Sequence, residues 1–226
     1  MTDPRSTIMA VGPLPPTIQI DDFLSAEDHA ALLAWVLANR ARFKAATVTD
    51  GVTHRTDDRT RIALKLADMG PIEPRLREQF LSALPRILGA IGGSVPETPS
   101  LELELTAYGD GAFYGLHRDI PIGPARQTLG AEPGQDRLLS AVYYFHREPK
   151  AFSGGALRLY RWGADLDEAG PSDWRDIEPR QNSLAGFPSW AVHEVRVVAC
   201  PSCQFEDSRF AINCWYCATL GSLSGA

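Results

Sequence analysis

The second half of the chain is a succession of short segments in which apolar and polar residues alternate, separated by glycine, proline, aspartate and serine. Alternation with a period of two is typical of half-buried β-strands, whereas helices repeat apolar residues every three or four positions. The segments are LELELTAY (101–108), AFYGLHRD (112–119), RLLSAVYYF (137–145), GALRLY (155–160), NSLAGF (182–187), WAVHEVRVV (190–198) and RFAINCWY (209–216). Many short strands with no helical pattern between them predict a β-barrel or a two-sheet jelly roll.

The first hundred residues show helical periodicity instead. Ser25 and Asp28 resemble a capping box, which predicts a helix running through Ala41. A second helix is expected from about Pro74 to Ala90. The predicted apolar stripes are Ala30, Leu33, Trp35, Val36 and Leu37 in the first helix, and Leu76, Phe80, Leu81, Leu84 and Leu88 in the second.

Between these helices, residues 46–69 are polar and contain an Asp-Gly turn signal at 50–51, which predicts a hairpin and a candidate lid. The glycine- and proline-rich breaks at 120–136 and 162–176 are expected to be loops. We therefore expect a single domain over 1–226, with helical support and a lid hairpin in 1–100 and the β core in 101–219.

His117, Asp119 and His193 form a candidate metal site. Side chains two positions apart on a strand leave on the same face, so an H-x-D pair can place an imidazole beside a carboxylate. A second histidine from a distant strand supplies a third ligand. Two imidazoles and one carboxylate on one side of a metal leave its other side open, which is the facial triad of non-haem Fe(II) oxygenases. The other histidines fit no motif: we expect His29 and His54 to face solvent and His146 to be a strand-end residue.

Charge and hydropathy limit the partners of the chain. The net charge is -6 and the pI is near 5.4, with no run of basic residues, so nucleic acid is not expected as a partner. Residues 1–16 lack an apolar targeting segment, and no stretch approaches the ~20 apolar residues that span a bilayer. A cytoplasmic protein is the simplest interpretation, and the sequence leaves the oligomeric state open.

Four cysteines form two C-x2-C pairs, Cys200 with Cys203 and Cys214 with Cys217, a spacing also found in zinc sites. However, the second pair lies on a predicted strand, where residues three positions apart point to opposite faces. Reduced cysteines are therefore preferred to a structural zinc site.

Several motifs, in order along the chain, resemble the Fe(II)- and 2-oxoglutarate-dependent dioxygenases, and among them the prolyl-hydroxylase branch. The motifs are YGDGAFYGLHRD (108–119, slightly shortened), RLLSAVYY (137–144), SGGALR (153–158), DIEP (176–179), FPS (187–189), HEV (193–195) and RFAINCWY (209–216). The resemblance covers about half of the chain. It implies a double-stranded β-helix core buttressed by helices.

The resemblance also implies site residues and chemistry. His117, Asp119 and His193 would bind Fe(II), and Arg209 would pair with the distal carboxylate of 2-oxoglutarate, helped by the hydroxyls of further pocket residues. Those implied pocket residues are Tyr144, Tyr108, Leu157 as an apolar wall, and Asn213 near the open side of the iron. O2 is the second cosubstrate and ascorbate a candidate reductant. Because the related halogenases carry a small residue in place of Asp119, hydroxylation of an unactivated C–H bond is expected, with release of succinate and CO2.

One interval departs from the family pattern. Arg209 follows His193 by 16 residues, more than is usual, and we place the excess at the hairpin tip CPSCQFED (200–207). Arg196 is therefore an alternative anchor for the cosubstrate, but its opposite strand parity favours Arg209.

The substrate is the least defined part of the prediction. A prolyl residue in a peptide, a free amino acid or a natural-product intermediate is expected, with Arg118, Arg137 and Trp215 as candidate contacts. The alternatives without a function are that the two arginines are solvated charges and that Trp215 and Tyr114 belong to the aromatic core. The alternative function is a non-catalytic metal-binding β-helix that senses or binds a ligand.

Overall fold

The computed structural model describes residues 13–49, 54–55, 57–93, 95–96, 99–120, 136–161 and 173–218. Two helices and sixteen strands occur in this part of the chain. In order they are β1 (Ile18–Ile20), α1 (Ala26–Ala38), β2 (Lys44–Ala45), β3 (Val48–Thr49), β4 (His54–Arg55), β5 (Arg61–Ile62), β6 (Leu64–Leu66), α2 (Glu73–Ile91), β7 (Ser100–Tyr108), β8 (Phe113–His117), β9 (Asp136–Phe145), β10 (Ser153–Gly154), β11 (Leu157–Tyr160), β12 (Trp174–Ile177), β13 (Ser183–Pro188), β14 (His193–Val195), β15 (Val198–Ala199) and β16 (Arg209–Ala218).

The strands form a double-stranded β-helix, as predicted. The major sheet has the order β1-β13-β9-β16-β7-β6-β2 and the minor sheet the order β12-β11-β14-β8-β5, with short pairs β10-β15 and β3-β4 beside them. Neighbouring strands in both sheets run antiparallel. Antiparallel sheets of this kind can bury a different set of side chains on each face.

Strand alternation in the major sheet separates a helix-facing core from a barrel interior. On β9 and β16, the helix-facing residues include Tyr143, Phe145, Phe210 and Ile212, which pack in one cluster with residues of α1 and α2. The intervening residues Val142, Tyr144 and Ala211 pack instead against Leu157 and Leu159 of the minor sheet. The helices therefore support the sheet from outside, and the alternate positions remain available for an interior site.

The first residues of the two helices were predicted more accurately than the residues on their buried faces. Ser25 caps α1, its Oγ accepting a hydrogen bond of 3.1 Å from the N–H of Asp28, but the helix ends at Ala38 and gives way to a 3-10 turn at Arg40–Arg42. The predicted stripe was wrong at Ala30, which is exposed, and it omitted the buried Leu32. In α2, Leu81 was wrongly placed in the core: it is 39% exposed, whereas Ile87 is buried.

Edge strands of both sheets were missed, among them β1, β2 and β12. β1 pairs with β13 at one edge of the major sheet, and β12 pairs with β11 at one edge of the minor sheet, so Trp174–Asp176 are not loop residues as expected. The 46–69 segment contains the predicted hairpin pairing between β3 and β4, although the turn at 50–51 lies outside the described residues. Most of the predicted loops at 120–136 and 162–176 also lie outside them. The described helices include none that is long and apolar enough to cross a membrane.

Candidate active site

His117, Asp119 and His193 converge in the interior of the barrel. Their potential ligand atoms all lie within 4.8 Å of one another. Each histidine Nε2 is 3.7 Å from a different oxygen of the Asp119 carboxylate. The two histidines are register partners on the neighbouring strands β8 and β14, so strand pairing itself brings them together. Among the described residues, this is the group of histidine, cysteine and acidic side chains that could hold a metal ion.

Backbone carbonyls orient both imidazoles. The Nδ1 of His117 lies 2.8 Å from the carbonyl oxygen of Gly115, and the Nδ1 of His193 lies 2.9 Å from that of Ala191. A carbonyl can only accept, so in each neutral ring the proton is on Nδ1 and the lone pair is on Nε2. Both Nε2 atoms are thereby prepared to act as metal ligands, which is the usual function of such outer hydrogen bonds.

Asp119 lies just beyond the strand on which it was expected. β8 ends at His117, and the N–H of Asp119 instead donates to the carbonyl of Ser189 over 3.2 Å. The hydroxyl of Ser140 donates to Asp119 Oδ2 over 2.5 Å and lies 2.9 Å from the hydroxyl of Ser189. The prediction of convergence was right, but a serine pair and a bend hold the carboxylate, rather than strand parity.

The protonation states suit a cation. Burial, followed by the proximity of His193, lowers the pKa of His117 to about 3, so the ring is neutral near pH 7. Burial by itself would raise the pKa of Asp119. The nearby His193 and His117, with the Ser140 hydrogen bond, outweigh burial and lower the pKa, so the carboxylate is ionised. Two neutral imidazoles and one carboxylate form a donor set that borderline divalent iron accepts.

A second polar centre, built around Arg209, lies in the same interior. Arg209 is 1% exposed, and its guanidinium carbon is 4.8 Å from the ring centroids of both Tyr108 and Tyr144. Its Nε and Nη2 and the hydroxyl of Tyr144 are buried and have no hydrogen-bond partner in the described structure. A buried cation without an anion is costly. The pocket therefore has the donors and the charge to take a carboxylate, as 2-oxoglutarate would provide.

The walls of this pocket follow from the SGGALR segment. Leu157 is 2% exposed and packs in the interior cluster with Tyr144, as expected for an apolar wall. Gly155 has a φ of +72°, and a Cβ there would lie only 2.8 Å from Cδ of Arg209. Burial raises the pKa of Tyr144 to about 12, against the opposing effect of Arg209, so the phenol keeps its proton. A carboxylate would thus meet a guanidinium and a phenolic donor.

The geometry favours Arg209 over Arg196. The side chain of Arg196 is 48% exposed and pairs with Glu194 at 2.9 Å, on the outside of the barrel. The long interval after His193 is taken up where it was predicted, between β15 and β16, in a turn that contains a 3-10 segment at Phe205–Asp207. Both strands remain intact.

Residues proposed from the sequence as substrate contacts lie at the rim of the triad. A hydrogen bond from the Trp215 side chain to Asp119 helps to lower the pKa of that carboxyl. The Arg137 guanidinium lies 3.9 Å from the Trp215 ring centroid, donates to the carbonyl of Asp119 over 3.3 Å and is paired with Glu102. Arg137 is therefore more than a solvated charge. Asn213 and Arg118 are half-buried.

The four cysteines and the other described histidine side chains lie outside the candidate metal site. Cys214 packs in the helix-facing cluster and Cys200 in a separate cluster with Tyr108, so the two C-x2-C pairs do not converge as zinc ligands would. His29 does not face solvent as expected: it is half-buried, with Nδ1 2.7 Å from the Tyr143 hydroxyl. His146 follows β9, as predicted. The side chain of His54 lies outside the described residues.

The sequence analysis missed Ser140, Ser189 and Arg61. The two serines could have been noticed from the FPS motif and from the parity that Ser140 shares with Tyr144 on β9. Arg61 gave no such signal, because it lies in a polar segment that reads as solvent-exposed.

Comparison with known proteins agrees with this geometry. The family model described as the 2OG-Fe(II) oxygenase superfamily matches residues 103–217. An uncharacterised PKHD-type hydroxylase of Synechocystis sp. is 32% identical over 198 residues, a match that covers 87% of this chain and 61% of that protein. The chain thus spans about three fifths of that relative.

Solved structures share the fold. A prolyl hydroxylase of Trichoplax adhaerens, in complex with a peptide of the hypoxia inducible factor oxygen degradation domain, superposes with a TM-score of 0.62 at 20% identity, covering 93% of this chain and 88% of that one. A prolyl-4-hydroxylase of Pseudomonas putida gives a TM-score of 0.57 at 22% identity, covering 89% and 92%. With half of its length matched by the family model, this chain belongs to the 2OG-Fe(II) oxygenase superfamily.

Proposed function

We propose that the chain is an Fe(II)- and 2-oxoglutarate-dependent hydroxylase in which His117, Asp119 and His193 hold the iron. The observation that carries the proposal is the buried Arg209, whose Nε and Nη2 are unpartnered beside the unpartnered Tyr144 hydroxyl. A metal site alone would suit many functions. A metal site that shares its barrel with buried, unpartnered donors for a carboxylate suits a 2-oxoglutarate enzyme.

The residues of the chain would hold the metal, orient 2-oxoglutarate and exclude water from the site. His117, Asp119 and His193 would hold the metal through two imidazoles and one carboxylate, a ligand set that leaves positions for cosubstrates. The Arg209 fork, with phenolic help from Tyr144 and Tyr108, would fix the far end of 2-oxoglutarate, while Leu157 excludes water from its chain. When bound, iron supplies the oxidative decarboxylation of 2-oxoglutarate by O2 that is coupled to C–H hydroxylation. Because Asp119 fills the third ligand position, we expect hydroxylation rather than halogenation.

The proposed substrate is a prolyl residue in a peptide, or an amino acid or natural-product intermediate. The support is the kind of neighbour found: the Trichoplax protein is a prolyl hydroxylase bound to a peptide. At the rim, Trp215 presents an aromatic surface and Arg137 a guanidinium. Asn213 is half-buried on the strand that carries Arg209, and we propose that it approaches the open side of the iron. Arg118 stays a proposed substrate contact.

Two measurements test the function. Anaerobic addition of Fe(II) and 2-oxoglutarate is expected to give a weak metal-to-ligand charge-transfer band in the visible; without that band the proposed chelate does not form. Succinate release is then measured across proline-containing peptides, free amino acids and candidate metabolites. A band without substrate-dependent succinate from any of them would support the alternative, a binding module without turnover.

Other expectations from the sequence stay predictions. These are the division of the chain near residue 100, the cytoplasmic location, the use of ascorbate and the absence of a nucleic-acid partner. The lid also stays a prediction. Part of the 46–69 segment lines a cleft of about 350 Å³ with Phe205 and Ser208, but no triad residue lines that cleft.

A further inference from the structure

Arg61, Tyr114 and His117 form a stack that ends at the proposed metal site. The rings of Tyr114 and His117 are nearly parallel, with an interplanar angle of 16° and centroids 3.6 Å apart. The guanidinium carbon of Arg61 lies 4.6 Å from the Tyr114 centroid, within cation–π range. With one face of the tyrosine ring covered by His117, the guanidinium takes the other. Tyr114 is thus held between a cation and a proposed iron ligand.

The backbone of the same segment holds the other side of the His117 ring. The N–H of Gly115 donates to the carbonyl of Thr60 over 2.7 Å, and the carbonyl of Gly115 accepts from Nδ1 of His117 at 2.8 Å. The approach is close, since a Cβ at residue 115 would lie 3.3 Å from that Thr60 oxygen. Arg61 and Tyr114 are themselves register partners of β5 and β8. Both restraints on the imidazole therefore lead back to residues 60–61.

Arg61 is buried and its guanidinium is incompletely hydrogen-bonded. It is 6% exposed, it pairs with Glu104 at 2.7 Å, and its Nε has no hydrogen-bond partner in the described structure. An incompletely satisfied buried ion pair contributes little net stability, and apolar residues of similar size often replace one without loss. The arrangement is therefore better explained by what the guanidinium does to Tyr114.

We propose that Arg61 is a positioning residue for the iron site: through Tyr114 it fixes the plane of the His117 imidazole and so strengthens metal binding. The inference rests on the proposed function, because it takes His117 as an iron ligand. It assigns a role in the site to a residue from the N-terminal region, outside the 103–217 match to the family model.

The test is a double-mutant cycle with Fe(II) affinity as the readout. Dissociation constants for Fe(II) are measured anaerobically by calorimetry, without 2-oxoglutarate, for wild type, Arg61→Gln, Tyr114→Leu and the double variant. Loss of an outer partner of a metal ligand typically weakens metal binding by about 10- to 100-fold. We expect each single variant to weaken Fe(II) at least tenfold, and the double variant to be no weaker than Tyr114→Leu, because Arg61 acts through that ring. Arg59→Gln, which alters an exposed arginine two residues away, is the matched control and should bind like wild type.

The outcomes separate positioning from simple support. Wild-type affinity in a folded Arg61→Gln protein overturns the proposal, and so do additive losses in the double variant. If Arg61→Gln does not fold, Arg61→Lys keeps the charge beside Glu104 but lacks the planar fork. It should weaken Fe(II) binding in the wild-type background and not in the Tyr114→Leu background, and equal effects in both overturn the proposal.

The proposed function itself fails in a different way. If the wild-type protein does not bind Fe(II), the iron site is wrong. If wild type binds Fe(II) and every variant binds equally well, only the role of Arg61 is wrong. As a second readout, the charge-transfer band of the anaerobic Fe(II)–2-oxoglutarate complex should move in Arg61→Gln and stay in place in Arg59→Gln.

Discussion

Replacement of Arg209 by methionine should separate cosubstrate binding from stability. Arg209 is 1% exposed, and two of its nitrogens lack partners. Truncating one member of a buried, hydrogen-bonded charge pair typically costs about 2–5 kcal/mol of binding energy. At about 1.4 kcal/mol per tenfold change, 2-oxoglutarate should bind roughly thirty-fold to a few thousand-fold more weakly.

The same substitution should leave the cosubstrate-free protein nearly as stable as before. Arg209→Met removes favourable contacts with the Tyr108 and Tyr144 rings, on the order of 1 kcal/mol each. It also removes a buried cation without an anion, which offsets that loss. We expect the free energy of unfolding to change by less than about 1 kcal/mol.

Two assays check this combination of effects. Calorimetric titration with 2-oxoglutarate, anaerobic and with the metal bound, gives the affinity, and urea unfolding of the cosubstrate-free protein gives the stability. Fe(II) affinity should stay near that of wild type, because Arg209 contacts no triad residue in the proposed role. Arg196→Met, at an exposed arginine paired with Glu194, is the control and should bind 2-oxoglutarate normally. Normal binding by Arg209→Met, or equal weakening by Arg196→Met, would refute the assignment.

Three further substitutions address the site. Asp119→Ala opens a ligand position and should abolish hydroxylation, measured as product formed per succinate released; full product formation would contradict the triad. Gly155→Ala should weaken 2-oxoglutarate at least about tenfold, because its Cβ would press on Arg209 from 2.8 Å, whereas Gly111→Ala, with similar φ and open space, should only reduce stability. Burial lowers the pKa of His117 from 6.5 to about 3, so below pH 6.5 the unfolded state binds the extra proton and the folded state does not. Metal-free protein should thus lose about 1 kcal/mol per pH unit between pH 6.5 and 3 through this residue, and His117→Gln should show a shallower slope in urea unfolding; equal slopes would contradict the lowered pKa.

The long central strands could be predicted from the sequence because each is long enough to show the alternation of inward- and outward-facing residues. The alternation along β9 and β16 correctly predicted which residues face the interior, including Tyr144 and Arg209. Short edge strands such as β1 and β12 carry too few residues to establish a period. Their pairing depends on partners far along the chain, as between Ile18 and Gly186.

The sequence predicted that the three candidate ligands converge, but it did not predict the residues that hold them in place. His117, Asp119 and His193 are recognisable because the chemistry demands particular side chains at particular intervals. What holds Asp119 is a contact with Ser189, seventy residues away, after the strand has ended. Likewise, the contacts of the buried Arg61 are with Glu104 and Tyr114, which are far from it in the sequence. Its own neighbourhood, TDDRTRI, is typical of a solvated loop.

Alternate residues of β16 face the barrel interior and the helices, and this alternation limits where residues can be inserted or deleted. Arg209 and Ala211 face the interior, while Phe210 and Ile212 face the helices. A one-residue shift in the register of this strand would exchange the two sets, directing a phenylalanine at the proposed cosubstrate pocket and a guanidinium into the helical core. Length changes are therefore tolerable only in the connections. The turn between β15 and β16, which accommodates a longer-than-usual step from His193 to Arg209, is one such connection, and small insertions there should leave activity intact.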